Sequence, residues 1–201
     1  MPRHQRLAAL TAAAALLACA AATAAPSTSV TVSGAVDKPG SYNAAALQAL
    51  PQVTQTDTFA SGTTPQTHTW TGPTLWNVIN AAGVRTRLGV KNDLLDRYML
   101  ATGTDGYRVV YSLGELSPAF GNRADLVAIQ ETIAGKTGPL AGDGFARTTA
   151  PGDVKAGRFV SNLVDLQAFS AAPVPEPMNA VLLLAGACVL VGASRRACAN
   201  G

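Results

Sequence analysis

The constraint that most limits this chain lies at its two ends. Each is a charge-free apolar stretch beside arginines, and neither is patterned like a packed core. Leu7 to Ala18 carries no charge and follows Arg3 and Arg6. A helix buried on one side of a globular fold shows a strongly polar opposite face, and this stretch does not. A basic head, a short apolar stretch and then Ala22, Thr23 and Ala24 follow the order of an export signal, with cleavage expected between Ala24 and Ala25. Pro26 disfavours a cut one residue later, and Cys19 offers a weaker, lipid-attachment reading. At the other end Met178 to Ser194 is apolar, with Asn179 at its edge. Its length, roughly 17 residues, is about the minimum for a helix that spans a bilayer core. Arg195 and Arg196 follow, and paired cations of this kind stay on the cytoplasmic side. The expected division is a signal peptide at 1–24, a folded domain at 26–172 and a tail at 173–201 with a membrane helix at 178–194.

The tail carries a resemblance. Pro175, Glu176 and Pro177, the apolar stretch and the pair Arg195 and Arg196 occur in the order of the PEP-CTERM sorting signal of Gram-negative bacteria that make exopolysaccharide. That resemblance implies an exosortase-type processing enzyme as partner and an inner-membrane-anchored precursor. The processed domain would then be periplasmic, on the cell surface or extracellular. A plain C-terminal anchor is the simpler reading of the same residues, and it too puts the domain outside the cytoplasm.

Setting the ends aside removes Arg3, Arg6, Arg195, Arg196 and Glu176, which leaves as many acidic as basic residues in the domain. The sequence pI of 8.9 therefore belongs to the targeting segments. A neutral domain lacks the basic face of a nucleic-acid binder, so no nucleic-acid partner is expected. The cysteines, Cys19, Cys188 and Cys198, all lie in the ends. The domain is thus neither disulfide-stapled nor a thiolate metal site, and its length allows a sufficient core without staples.

Within the domain, Val30 to Val36 alternates as a half-buried strand, and Asp37 to Gly40 is a turn. Asn43 is placed to cap a short helix that Pro51 stops. Gln52 to Phe59 and Thr67 to Thr71 are threonine-rich and read as a hairpin around residues 61–65. Leu75, Val78, Ile79 and Ala82 share one helical face, with Pro73 suited to the first turn and Gly83 to the end. Arg97 to Thr102 and Tyr107 to Leu113 form a second hairpin through Gly103 to Gly106. Leu113 to Phe120 suits a helical turn, and Leu126 to Ile133 reads as one mainly apolar strand. Phe145 to Thr149 and Phe159 to Phe169 read as closing strands, with Val160, Val164 and Leu166 facing one way. Strands with short helices between them indicate an α+β or mostly β class.

Catalytic chemistry is thinly provided. His68 is the domain's one histidine and reads as a surface or edge residue of a threonine-rich strand. No G-x-S-x-G elbow, P-loop or dinucleotide fingerprint occurs. Asp93 and Asp96 lack the further oxygens of a calcium loop, so no metal site is expected. Trp70 and Trp76 read as packing residues.

Several short elements in order carry a second resemblance. They are Gly34 to Tyr42, Trp70 to Trp76 with its Trp-x-Gly core, and Asp105, Gly106 and Tyr107. Ser112 to Pro118, Arg147, Pro151 to Asp153 and Gly157 to Asn162 complete them. In this order they resemble the oxidoreductase molybdopterin-binding domain, the sulfite-oxidase-like fold. The resemblance implies an α+β domain with a mixed, curved sheet and a pterin-binding cleft. It also implies a cysteine thiolate on molybdenum shortly before the Trp-x-Gly element. Here that stretch is Phe59, Ala60, Ser61 and Gly62, without sulfur. Ser61 is the nearest substitute, and its oxygen is a harder, less donating ligand. Arg147, Lys155 and Arg158 are the few cations available for a phosphate. The residues expected to face a ligand are Asp105, Tyr107, Arg147 and Arg158. No catalytic residue and no cofactor are expected, molybdopterin being implied by the resemblance alone. The expected function is an exported, non-catalytic domain that binds a small ligand, an exopolysaccharide or other glycan, or a protein. A molybdopterin oxidoreductase with an atypical ligand and a structural matrix protein stand as alternatives.

Overall fold

The computed structural model describes residues 25–171 apart from residues 141 and 143. The expected signal peptide, the motif at Pro175, Glu176 and Pro177, and the apolar stretch 178–194 with Arg195 and Arg196 lie outside the described residues. Among the described residues no helix is long and apolar enough to cross a membrane.

The chain is α+β. Its strands are β1 (Val30–Gly34), β2 (Gly40–Tyr42), β3 (Gln52–Ser61), β4 (Thr64–Pro73), β5 (Arg97–Gly103), β6 (Arg108–Ser112), β7 (Val127–Ala128), β8 (Gln130–Ile133), β9 (Lys136–Pro139), β10 (Arg147–Thr148) and β11 (Leu163–Ser170). The helices α1 (Ala44–Gln48), α2 (Leu75–Ala81) and α3 (Leu113–Leu116) are short. Among the described residues the strands form a mixed five-stranded sheet in the order β2-β1-β11-β5-β6, a four-stranded sheet β3-β4-β8-β9, and the pair β10-β7. Among the strands of the described residues only β1 and β11 pair in parallel, which joins the two ends of the domain at the middle of its largest sheet.

Alternation decides which face of each strand is covered. In β3 and β4 the outward positions are threonines paired hydroxyl to hydroxyl across the strands: Thr54 with Thr71 and Thr56 with Thr69 at 2.7 Å, and Thr58 with Thr67 at 2.9 Å. The inward positions are Gln55, Asp57 and Phe59 facing Trp70, His68 and Gln66. The core gathers Val30 and Val32 of β1, Met99 and Ala101 of β5, Leu163, Leu166 and Ala168 of β11, and Leu75, Val78 and Ile79 of α2.

Three local expectations are corrected. Pro73 ends β4 rather than starting a helix; Thr74 caps α2, its hydroxyl accepting from the Asn77 amide at 3.0 Å. The stretch 126–133 is divided between two sheets, because β7 crosses β4 so closely that a Cβ on Gly72 would stand 2.1 Å from the Val127 carbonyl oxygen. In β11 a register shift between Leu163 and Asp165 resets the alternation, so Leu163, Leu166 and Ala168 are buried and Val164 only half so.

Candidate ligand-binding site

The inward face of β3 and β4 builds a stack of rings. Phe59 lies 4.7 Å from Phe159, 5.8 Å from Trp70 and 5.6 Å from His68, ring centre to ring centre. His68 and Trp70 are nearly coplanar in orientation, 3° apart, at 5.1 Å. Phe59, His68 and Trp70 meet because they fall on alternate positions of two strands paired in register, the arrangement that lets aromatic side chains meet across a sheet, and Phe159 joins them from just after the turn 156–158. His68 therefore points inward, contrary to the surface reading, and its Nδ1 meets the buried carboxylate of Glu131 on β8. Deeper on the same face, Gln55 donates to Asp57 and to Thr149, each at 3.0 Å. Burial pushes the Asp57 carboxyl above its usual range, and the Gln55 hydrogen bond opposes that only in part.

Arg147 belongs to this stack. Its guanidinium carbon lies 5.0 Å from the Trp70 ring centre and 5.7 Å from that of Phe159. Arg147 is buried. The ring faces attract the guanidinium electrostatically, which offsets part of the hydration it loses.

The neighbouring residue of β10, Thr148, points the other way, into a second cluster. Tyr111 donates to the Arg158 carbonyl and lies 2.9 Å from the Thr148 hydroxyl. Burial raises the Tyr111 hydroxyl above its usual range, so it stays a donor. Arg158 grips Asp153 through two bonds, of 2.7 and 2.5 Å, and stands 3.9 Å from Glu115. This pairing lowers the Asp153 carboxyl. Arg123 bonds Asp125 at 3.2 Å and the Pro151 carbonyl at 2.8 Å. Asp125 is fully buried, and desolvation raises it despite Arg123 and Arg158 nearby.

The four expected ligand-facing residues thus divide. Asp105 accepts from the Tyr107 amide at 2.9 Å, shaping the hairpin tip, and the half-exposed Tyr107 donates its hydroxyl to the Gly157 carbonyl at 2.6 Å. Tyr107 and Arg158 are brought together at the turn 156–158, while Arg147 sits in the ring stack on the other side of β10.

Two clefts lie elsewhere. One, of about 240 Å³, is lined by Trp76, Asn77, Asn122 and Arg123 with neighbours from α3. The other, of about 510 Å³, lies between Pro26, Pro139, Leu140, Phe145 and Asn162. None of the four expected residues lines either cleft. The first was missed because its lining comes from residues far apart in sequence. Trp76 and Asn77 in the first turn of α2, off the buried face, were the available signal.

Molybdopterin fits these residues poorly. Where the resemblance puts a thiolate, Phe59 turns its ring into the stack, and Ser61 lies exposed beyond it at the hairpin end. The stretch offers carbon where the metal needs a donor. Among the described residues, no three histidine, cysteine or carboxylate groups are gathered as a metal site would need.

No protein-family model matches the chain, and no curated protein matches its sequence. Among solved structures it is similar to the sulfane dehydrogenase SoxCD from Paracoccus pantotrophus, at 15% identity and a TM-score of 0.55. The match covers 70% of this chain but 38% of that one, so this chain spans little more than a third of its neighbour's length. At such identity the likeness is one of fold: an α+β domain consistent with the sulfite-oxidase-like architecture expected from the sequence.

Proposed function

We propose that this is an exported, surface-sorted domain of sulfite-oxidase-like fold that binds a ligand outside the cytoplasm and carries out no redox chemistry. The observation that carries this reading is the Phe59 ring, stacked on Phe159 within the stretch Phe59 to Gly62 where the resemblance implies a sulfur donor. A buried ring neither ligates a metal nor leaves room for one. Two of the three cations expected near a cofactor phosphate are engaged with neighbours, Arg158 with Asp153 and Arg147 over two ring faces, and the third, Lys155, is exposed.

The ligand site in this reading is the cleft beside α2. It joins an indole, two carboxamides and a guanidinium held by Asp125, a set suited to a small hydroxyl-rich ligand such as a glycan unit. Export and tethering rest on the two apolar ends and their flanking arginines. The test is elemental and pterin analysis of the protein purified from its native exporting cell, together with thermal unfolding in the presence of short glycans. The expected result is no stoichiometric molybdenum and a rise in melting temperature with a glycan that Trp76→Ala abolishes. Stoichiometric molybdenum with a bound pterin would overturn the proposal.

A further inference from the structure

Residues 82–96 connect the end of α2 to β5, and the base of the turn they carry is firmly held. The Arg87 amide donates to Asp93 at 2.8 Å and its Nε to the same carboxylate at 2.6 Å. The buried Arg97, at the start of β5, bonds Asp93 from the other side at 2.6 Å. The Arg87 guanidinium also contacts Asp96. Hydrogen bonds from the Arg87 amide and guanidinium and from Arg97 outweigh the cost of burial and hold the Asp93 carboxyl at about 2.

On this base the chain makes a tight turn. The Val90 amide donates to the Arg87 carbonyl at 3.2 Å, and Gly89 adopts φ 79° at the third position, which glycine alone takes without strain. That leaves Leu88 at the tip, 103% exposed, with Val90 at 45% and Leu95 at 55%. Turn corners ordinarily carry proline, glycine or short polar residues. A leucine there, on a base fixed by two arginines, is held out in water by the fold. Along this connection Arg85 pairs with Asp37 at 3.0 Å and Arg87 with Asp93 and Asp96, while Lys91, next to Val90, is exposed.

The chain leaves the domain at the same place. The Ala171 amide, just beyond β11, donates to the Asp96 carbonyl at 2.8 Å. Six residues, 172–177, three of them proline, separate it from the apolar stretch that begins at Met178. Even fully extended, that connection spans no more than about 25 Å. Whatever holds 178–194 therefore also holds the Leu88 turn within reach.

We propose that the turn at Leu88 is a membrane-docking tip. Leu88 and Val90 enter the interfacial layer of the bilayer that holds residues 178–194, and the exposed Lys91 faces its anionic headgroups. A single apolar tip binds weakly alone. A short tether makes the second contact intramolecular, so a weak contact suffices to orient the domain. This rests on the reading of the tail as a membrane segment given under the proposed function. It adds that the precursor lies with one chosen face against the bilayer.

The test uses the full chain with Cys19, Cys188 and Cys198 replaced by serine. A single polarity-sensitive dye is placed at Leu88→Cys or, as reference, at Thr58→Cys on the threonine face of β3. Each protein is reconstituted into phosphatidylethanolamine–phosphatidylglycerol vesicles, floated on a density gradient, and probed with spin-labelled lipid. The expected result is flotation of both proteins, with the dye at position 88 blue-shifted and quenched several-fold more than the dye at position 58. Adding Val90→Asp and Lys91→Glu should remove that difference without affecting flotation. Flotation with equal quenching at both positions would overturn the docking tip while leaving the tail reading intact. Failure to float would overturn the tail reading and the docking tip with it.

Discussion

The Phe59 ring is the point at which fold and function can be tested together. If it fills a packed core, removing it should cost a core residue's full price. Phe59 is 5% exposed, with rings on three sides at 4.7, 5.6 and 5.8 Å. Its backbone is held in the ten-residue register of β3 against β4, so neighbours have little freedom to close a void. Phe→Ala substitutions in such settings cost about 3–5 kcal/mol, with the upper part of the range expected where collapse is restricted. Taking about 4 kcal/mol, and an unfolding entropy near 0.3 kcal/mol per kelvin for about 150 residues, Phe59→Ala should lower the melting temperature by about 12 °C. Urea unfolding followed by tryptophan fluorescence gives the same free energy independently, because Trp70 adjoins the ring. Phe59→Cys should lose comparable stability and acquire no molybdenum on expression in a molybdopterin-producing host. A loss below about 1 kcal/mol, close to the range of surface changes, would refute the reasoning. The ring would then be a cover over an open cleft, and the argument against a cofactor there would fail.

Two further outcomes follow from local geometry. Gly72→Ala would place a Cβ 2.1 Å from the Val127 carbonyl oxygen and 2.8 Å from the Ala128 Cα. Both are backbone atoms that cannot swing aside, so a loss of about 3 kcal/mol or more is expected in urea unfolding, against almost none for Gly138→Ala, where the added Cβ meets nothing within 4 Å and the backbone is not in the left-handed region. Asp93, held near 2 against an ordinary 3.8, binds a proton more readily in the unfolded chain. Its contribution is therefore complete above 3.8 and is lost as pH falls through about 2. Acid titration of stability should accordingly show a shallower slope between these values in Asp93→Asn than in the wild type.

The parts legible from sequence were those governed by neighbours along the chain. The β3–β4 hairpin announces itself because Thr54, Thr56 and Thr58 alternate with Gln55, Asp57 and Phe59. Asn43 gives away α1, and its side chain does accept from the Ala46 amide at 2.9 Å. Long-range packing overruled local rules elsewhere. Pro73 suits a helix start, yet its place opposite Gln52 keeps it in the strand, and Thr74 takes the cap. Val164 fits the alternation of its strand until the register shift beside it. The site was harder to see. Arg147 and Thr148 are adjacent in sequence, yet the strand sends one into the ring stack and the other to Tyr111. His68 looked exposed because its sequence neighbours are threonines, and only the pairing of β4 with β8 reveals Glu131 beside it.

The parallel pairing of β1 with β11 has a further bearing on how this molecule is made. The last strand occupies the third place in its sheet, with β1 on one flank and β5 on the other. Until residues 163–170 arrive, those two strands have no common neighbour, and the contact that closes the sheet spans nearly the whole domain. Contacts of such sequence separation form late. A chain threaded amino-end first through a translocation channel would thus remain unfolded through most of its passage, as threading requires, and could consolidate only when its final strand emerged. Truncation before Leu163 would remove the spine of the sheet rather than a dispensable edge.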